Sequence, residues 1–121
     1  MFDFRKLIVW QEGHQLTLAV YQATRPFPKE ELFGLTSQMR RSAASIPHNI
    51  AEGCGRNSYA ELARFVTISM GSASELETQL LLAKDLLYLS APEAEVLTQH
   101  CSRLRRMLQA FQTKIKQYAD R

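Results

Sequence analysis

The sequence lacks any run of about 18 apolar residues, the length that a membrane-spanning helix needs. The first residues have no long apolar stretch followed by small residues, so they do not resemble a secretory signal. Cysteine occurs only at Cys54 and Cys101, which are far apart and in no paired motif. We therefore expect a cytoplasmic protein with no membrane partner and with two free, buried thiols.

Motifs for metals, phosphates and nucleophilic catalysis are also missing. The Glu-x-x-His motif of di-iron bundles occurs at none of the histidines. His48 and Glu52 lie one helical turn apart, but two ligands do not complete a metal site. Gly53 and Gly55 end a predicted helix instead of opening one, unlike a phosphate loop. Cys54 falls on the apolar side of that helix. We expect no metal, cofactor or catalytic residue, and an enzyme is the least supported class.

Helical periodicity with clear stop signals is present throughout the chain. Pro26 and Pro28 end the first helix, because each proline disfavours the helical conformation of the residue before it. Thr36 or Ser37 is expected to cap the second helix. No strand-like alternation competes with this pattern. The predicted helices cover residues 7–24, 37–54, 58–87 and 91–118.

The third and fourth helices begin at capping boxes and carry long apolar stripes. Ser58 pairs with Glu61, and Ser90 pairs with Glu93, in the spacing that such boxes require. The stripe of the third helix comprises Leu62, Phe65, Val66, Ser69, Ala73, Leu76, Leu80, Ala83 and Leu87. The stripe of the fourth comprises Ala94, Leu97, Cys101, Leu104, Leu108, Phe111, Ile115 and Tyr118. Long helices joined by short connections predict an all-α, up-down-up-down antiparallel four-helix bundle, with residues 1–121 as one domain.

The second helix combines a polar stripe with a proline in its interior. Pro47 cannot donate to the carbonyl of Ala43, so we predict a kink there. We expect Ser42, Ser45 or water to take up the freed carbonyl. The stripe comprises Gln38, Arg41, Ser45, Asn49, Glu52 and Arg56.

Two interpretations of this polar stripe stay open. A buried network that fixes helix register would need partners for Glu52, with Arg41 and Arg56 and the third-helix acids Glu75 and Glu77 as candidates. An exposed stripe would instead let Arg41, Asn49 and Arg56 contact phosphates or base edges. The first interpretation predicts that Asn49 and Glu52 support the fold or subunit packing before any ligand.

Positive charge is concentrated near the end of the chain. Residues 96–121 hold six basic residues and one acid, whereas the remainder has a balance of −2 and the whole chain +3. This permits nucleic-acid contact, although a solvated helix face that is cationic at its C-terminal end explains the charge equally well. The fourth helix shows no interleaved aromatic residues, so no base-stacking platform is predicted. The candidate nucleic-acid-binding residues are Arg103, Arg105, Arg106, Lys114 and Lys116.

Three segments of the sequence resemble the 23S rRNA intervening sequence proteins. They read LIVWQEGHQL, FPKEELFGLTSQMRRSAASIPHNIAEGCGR and SYAELARFVTISMGSASELETQLLLA, and the resemblance extends from residue 4 to about residue 87. It implies a small bacterial four-helix bundle, often encoded within insertions of ribosomal RNA genes. The accessory protein of diversity-generating retroelements is a related bundle that forms a pentamer and binds nucleic acid and a reverse transcriptase. The resemblance implies no enzymatic reaction.

The third helix is predicted to have apolar surface on more than one side. Leu81, Leu82 and Leu86 lie outside its main stripe, and small residues around Gly71 permit the close approach of another backbone. We therefore expect a homo-oligomer, with a pentamer suggested by the resemblance. One hypothesis is a non-catalytic scaffold that binds RNA or DNA. The other is a protein–protein adaptor whose partner is a nucleic-acid-processing protein.

Overall fold

The computed structural model describes residues 2–119, and it consists of four long helices joined by short connections. They are α1 (Ile8–Thr24), α2 (Leu35–Cys54), α3 (Tyr59–Asp85) and α4 (Ala91–Ala119). Single 3₁₀ turns occur at Phe4–Lys6 and Lys29–Glu31, and residues 2–119 contain no strand. Each predicted helix is confirmed, with ends that differ by no more than two residues.

The four helices form the predicted up-down-up-down antiparallel bundle. Within the described residues, α1 packs against α2 and α4, and α3 packs against the other faces of α2 and α4, without diagonal contacts. None of these helices is long and apolar enough to cross a membrane. The central core is fully buried and consists largely of aliphatic side chains: Leu16, Val20, Met39, Ile46, Ile50, Leu62, Leu76, Leu80, Leu104, Leu108 and Ile115.

Local capping fixes where the helices begin. At the start of α4, the Ser90 amide donates to Glu93 Oε1 at 3.0 Å and the Glu93 amide donates to Ser90 Oγ at 3.2 Å. These hydrogen bonds lower the pKa of the Glu93 carboxyl. At the start of α3, Ser58 Oγ accepts from the Glu61 amide at 3.1 Å. The expected Thr36 or Ser37 cap of α2 is wrong, because the helix begins earlier, after Gly34.

The end of α3 departs from its sequence pattern. Leu87 was expected to continue the buried stripe, but it is 87% exposed and has a positive φ of 65°. The Tyr88 amide donates to the Ala83 carbonyl at 2.9 Å, and the Leu87 amide donates to the Lys84 carbonyl at 2.9 Å. This is the Schellman arrangement, in which glycine usually occupies the position of Leu87. The helix therefore stops two residues before the predicted end, and the chain turns towards α4.

A buried glutamine links α3 and α4 inside an otherwise apolar stripe. Gln112 is 4% exposed, and its amide donates to the Ala63 carbonyl at 2.9 Å and to the Thr67 hydroxyl. Phe111 and Tyr118, predicted in the stripe, are only half-buried. The polar link fixes the relative position of the two helices, because a slip would leave the buried amide without partners.

Candidate nucleic-acid interface

The carbonyl freed by Pro47 is bound by another helix. Thr17 Oγ1 of α1 lies 3.0 Å from the Ala43 carbonyl oxygen and 2.8 Å from the carbonyl oxygen of Gly13. A Cβ atom on Gly13 would lie 3.4 Å from Pro47 Cδ, so the glycine lets α1 approach the proline closely. The expectation that Ser42 or Ser45 donates to this carbonyl is therefore corrected, because the Thr17 hydroxyl does so. A water donor stays a prediction. The kink at Pro47 stays a prediction.

The middle of the polar stripe connects α2 with α3. Asn49 Nδ2 donates to the carbonyl and to the hydroxyl of Ser45, at 2.8 and 2.9 Å. The Ser45 hydroxyl lies 2.8 Å from that of Ser72. One turn away, the buried Ser69 hydroxyl donates to the Ile46 carbonyl at 2.9 Å. Ser45 and Asn49 thus take part in a half-buried hydrogen-bond cluster at the seam between the helices.

The rest of the stripe lies at the surface. Gln38 and Arg41 are exposed. Glu52 is also exposed, and its carboxylate pairs at 3.1 Å with Arg56, which follows the end of α2. The Arg56 guanidinium lies 5.0 Å from the centre of the Phe65 ring. Glu52 therefore needs no buried partner, in contrast to the expectation of a buried network around it.

The two acids of α3 belong to different local groups. Glu75 is exposed and accepts from Gln79 at 3.4 Å. Glu77 lies 3.5 Å from Arg105 of α4. The candidate network residues are thus divided among the α2–α3 seam, the outer surface and the α3–α4 seam. They are Gln38, Arg41, Ser45, Asn49, Glu52, Glu75 and Glu77. Spacing along a helix predicts which residues share a face. It does not predict which of those residues a neighbouring helix covers, and this explains the division.

The five basic residues expected on the last helix all lie on α4 but point to different sides. Arg103 pairs with Glu12 of α1 at 3.1 Å, whereas Arg105 reaches Ser74 Oγ at 3.3 Å and Glu77 at 3.5 Å on α3. Arg106 is exposed and donates to the hydroxyl of Ser102 on its own helix at 3.0 Å. Lys114 and Lys116 are exposed.

A surface groove separates α3 from α4 beside two of these arginines. Its lining residues are Met70, Gly71, Ser74, Arg105, Arg106 and Gln109. Gly71 is exposed, and a Cβ atom built on it meets nothing within 4 Å. Packing inside the subunit therefore gives no reason for a glycine that costs the helix about 1 kcal/mol relative to alanine. The open backbone at Gly71 and the neighbouring cations suit close contact with an external anionic chain. We call this feature the α3–α4 groove.

Both cysteine thiols are free and buried in the bundle. Burial raises the pKa of the Cys101 thiol to about 12, and the thiol donates to the Ala73 carbonyl at 3.1 Å. Burial also raises the pKa of Cys54. Among residues 2–119, no three His, Cys, Asp or Glu side chains are grouped as a metal site requires. These thiols lack the electropositive, accessible setting of nucleophilic cysteines.

Large apolar side chains are exposed on α3 and at the end of the bundle where α3 stops. Leu81, Leu82 and Leu86 are about half exposed, and they are the residues that the sequence placed outside the main stripe. Phe33, in the connection before α2, is 95% exposed. Exposed apolar surface of this kind marks interaction sites in many proteins.

Comparison with known proteins agrees with this architecture. The solved structure of a protein of unknown function, from the S23 ribosomal protein family of Bacteroides thetaiotaomicron VPI-5482, matches with a TM-score of 0.77. The two sequences are 20% identical, and the match covers 86% of this chain and 97% of the other, which shows a shared fold. No curated protein matches the chain. A family model described as 23S rRNA-intervening sequence protein matches residues 5–110, and the protein therefore belongs to that family.

Proposed function

We propose that this protein is a cytoplasmic, non-catalytic homo-oligomer that binds the backbone of structured RNA or DNA and acts as a scaffold. The observation that carries the proposal is the α3–α4 groove. Gly71 exposes helix backbone there, next to Arg105 and Arg106. Arginine guanidinium groups bind phosphate with paired hydrogen bonds, and such contacts position a nucleic acid without reading its sequence.

The charge of one subunit is too small for strong binding by itself. Glu12 and Glu77 partly neutralise Arg103 and Arg105, and the formal net charge is only +3. Five copies at +3 each would carry +15. Assembly would also repeat Arg106, Lys114 and Lys116 around one axis, so that weak contacts act together. We therefore propose a ring of subunits, with five as the number that the related retroelement bundle suggests.

Exposed leucines supply the surface for this assembly. Leu81 and Leu82 lie on α3 and Leu86 directly follows it, outside the face that packs into the bundle. Burying each of them against a neighbouring subunit would contribute roughly 0.8–1.5 kcal/mol, since each is already about half buried. Static light scattering at micromolar concentration tests assembly, and a monomeric mass would contradict it.

Nucleic-acid binding is tested by salt-dependent titration. Fluorescently labelled hairpin RNA and duplex DNA are titrated with the protein at about 50 and 200 mM salt. Over this range, a protein that binds six to ten phosphates weakens in affinity by about 10³–10⁵. We expect binding to both nucleic acids with a marked decrease at the higher salt concentration. An oligomer that binds neither nucleic acid at the lower salt concentration would contradict the scaffold.

One observation favours the protein–protein adaptor as a second candidate. Phe33 and Leu87 project almost fully into solvent at the same end of the bundle. If the oligomer forms without nucleic-acid affinity, this end is the better candidate for the functional surface. The adaptor hypothesis then predicts saturable binding to a nucleic-acid-processing protein. Phe33→Ser should abolish this binding, and Ile8→Ser, at the opposite end of the bundle, is the control.

A further inference from the structure

A small notch lies where the end of α1 meets the first turn of α2. It has a volume of about 120 Å³, and Arg25, Lys29 and Arg40 contribute to its lining. None of the lining residues is acidic. In residues 2–119, no carboxylate lies within ion-pair distance of any of these three cations. Three cations without an ion-pair partner thus line one concave site, with Arg25 and Lys29 exposed to solvent.

Arg40 is the most constrained of the three cations. It is half-buried, its Nε donates to Thr24 Oγ1 at 2.9 Å, and its guanidinium lies 4.8 Å from the centre of the Tyr21 ring. These interactions fix the guanidinium but do not neutralise it. Because a partly desolvated cation without a counter-charge is unfavourable, an external anion would complete the site.

Thr36 gives independent support. It lines the notch and is only 3% exposed, yet its hydroxyl has no hydrogen-bond partner within the described part of the chain. It is also the second residue of α2, where main-chain amides lack intrahelical acceptors and the helix dipole favours negative charge. Glu31 accepts from the Leu35 amide at 3.3 Å and from the Tyr88 hydroxyl at 2.9 Å, but it does not line the notch.

We propose that this notch binds one phosphate-class oxyanion. The volume of about 120 Å³ suits a single tetrahedral oxyanion. The free nitrogens of Arg40 supply paired donors, Arg25 and Lys29 supply charge, and Thr36 supplies a buried hydroxyl. The site lies at the α1–α2 connection and the first turns of α2, and it does not depend on the α3–α4 groove. Its ligand is either free phosphate or a terminal phosphate on a nucleic acid.

Titration of the full chain with inorganic phosphate, followed by amide NMR at low salt, tests the site. Saturable shifts are expected at Thr36 and Ser37. Lys29→Gln and Thr36→Val should each weaken binding by about fivefold or more, since each removes one charge-assisted or buried hydrogen bond. Lys6→Gln removes a positive charge at the other end of the bundle and should leave binding unchanged. Absence of saturable shifts, or equal binding by all variants, would overturn the proposal.

A second arm identifies the source of the phosphate. We compare two oligonucleotides of identical sequence, one with a 5′-phosphate and one with a 5′-hydroxyl. The measurement is how strongly each competes with inorganic phosphate for the site, read from the amide shift at Thr36. Stronger competition by the 5′-phosphate form supports the site and assigns a nucleic-acid end to it. Equal competition at Thr36, with phosphate binding intact, supports free phosphate as the ligand. Arg106→Gln, which alters only the α3–α4 groove, should leave the shift at Thr36 unchanged.

Discussion

The Thr17 hydroxyl lies 3.0 Å from the carbonyl oxygen of Ala43, the carbonyl that Pro47 leaves without an amide donor. A proline inside α2 is therefore tolerated through a contact from α1. The same hydroxyl also lies 2.8 Å from the Gly13 carbonyl, so one donor serves both helices. The carbonyl that Pro47 leaves free thereby accepts a hydrogen bond that links α1 to α2.

Thr17→Val should destabilise the protein by about 1–3 kcal/mol, because valine keeps the shape but leaves the Ala43 carbonyl without a side-chain donor. Urea unfolding at fixed protein concentration measures the change. Thr113→Val is the matched control, since Thr113 is exposed and bonds only to its own helix. Equal stability of the two variants would show that the Thr17 hydrogen bond is dispensable.

Asn49 and Glu52 should respond differently to alanine, although they lie on one stripe. Asn49→Ala removes the hydrogen bonds to Ser45 and should cost about 1 kcal/mol. Glu52→Ala removes only an exposed pair with Arg56 and should cost about 0.5 kcal/mol or less. Alanine raises helix propensity more at Asn49 than at Glu52, so the difference in unfolding free energy is a lower bound on the difference between their side-chain interactions. If Glu52→Ala keeps its stability but no longer binds nucleic acid, Glu52 serves recognition.

The fold was predictable from the sequence because its determinants are local. Ser90 with Glu93, and Ser58 with Glu61, define helix starts within four residues. Contacts between distant positions were not predictable in this way. Thr17 meets Ala43 only after α1 and α2 have packed, and no spacing rule indicates such a partner.

The candidate sites also depend on contacts between positions that are distant in the sequence. The basic residues of α4 were identified from composition, but their separation onto two flanks depends on Glu12 and Glu77, which lie on other helices. The notch near Arg40 was missed entirely, because its cations are divided between the α1–α2 connection and α2. Leu87 was misplaced because the apolar period continues past the true end of α3.

Two glycine variants separate packing from function. Gly71→Ala should stabilise the subunit by about 1 kcal/mol, since the new Cβ meets nothing and helix propensity improves. Gly53→Ala should destabilise it by about 1–3 kcal/mol, because its Cβ would lie 2.9 Å from Phe65 Cβ. Thermal and urea unfolding measure both. We expect Gly71→Ala to weaken nucleic-acid binding despite its higher stability, and unchanged binding would remove the role assigned to the open backbone.

Leu87→Gly should raise subunit stability by about 1 kcal/mol, because glycine adopts the positive φ at this position without steric cost. Leu86→Gly, at a φ of −80°, is the matched control and should lower stability by roughly 1 kcal/mol. Urea unfolding measures both changes, and light scattering reports the assembly of each variant. Destabilisation by Leu87→Gly would indicate that the packing of the exposed side chain outweighs its backbone strain.

The dependence of nucleic-acid affinity on salt, for the wild type and Arg106→Gln, tests the central claim most directly. Binding of one hairpin RNA is measured over a series of salt concentrations, with Lys6→Gln as the charge-matched control. If Arg106 binds a phosphate in the α3–α4 groove, the slope of log affinity against log salt should become shallower by about 0.7–0.9 for each phosphate that the variant no longer binds. Lys6→Gln should keep the wild-type slope. Identical slopes for all three proteins, or no binding at low salt, would contradict the α3–α4 groove as the nucleic-acid interface.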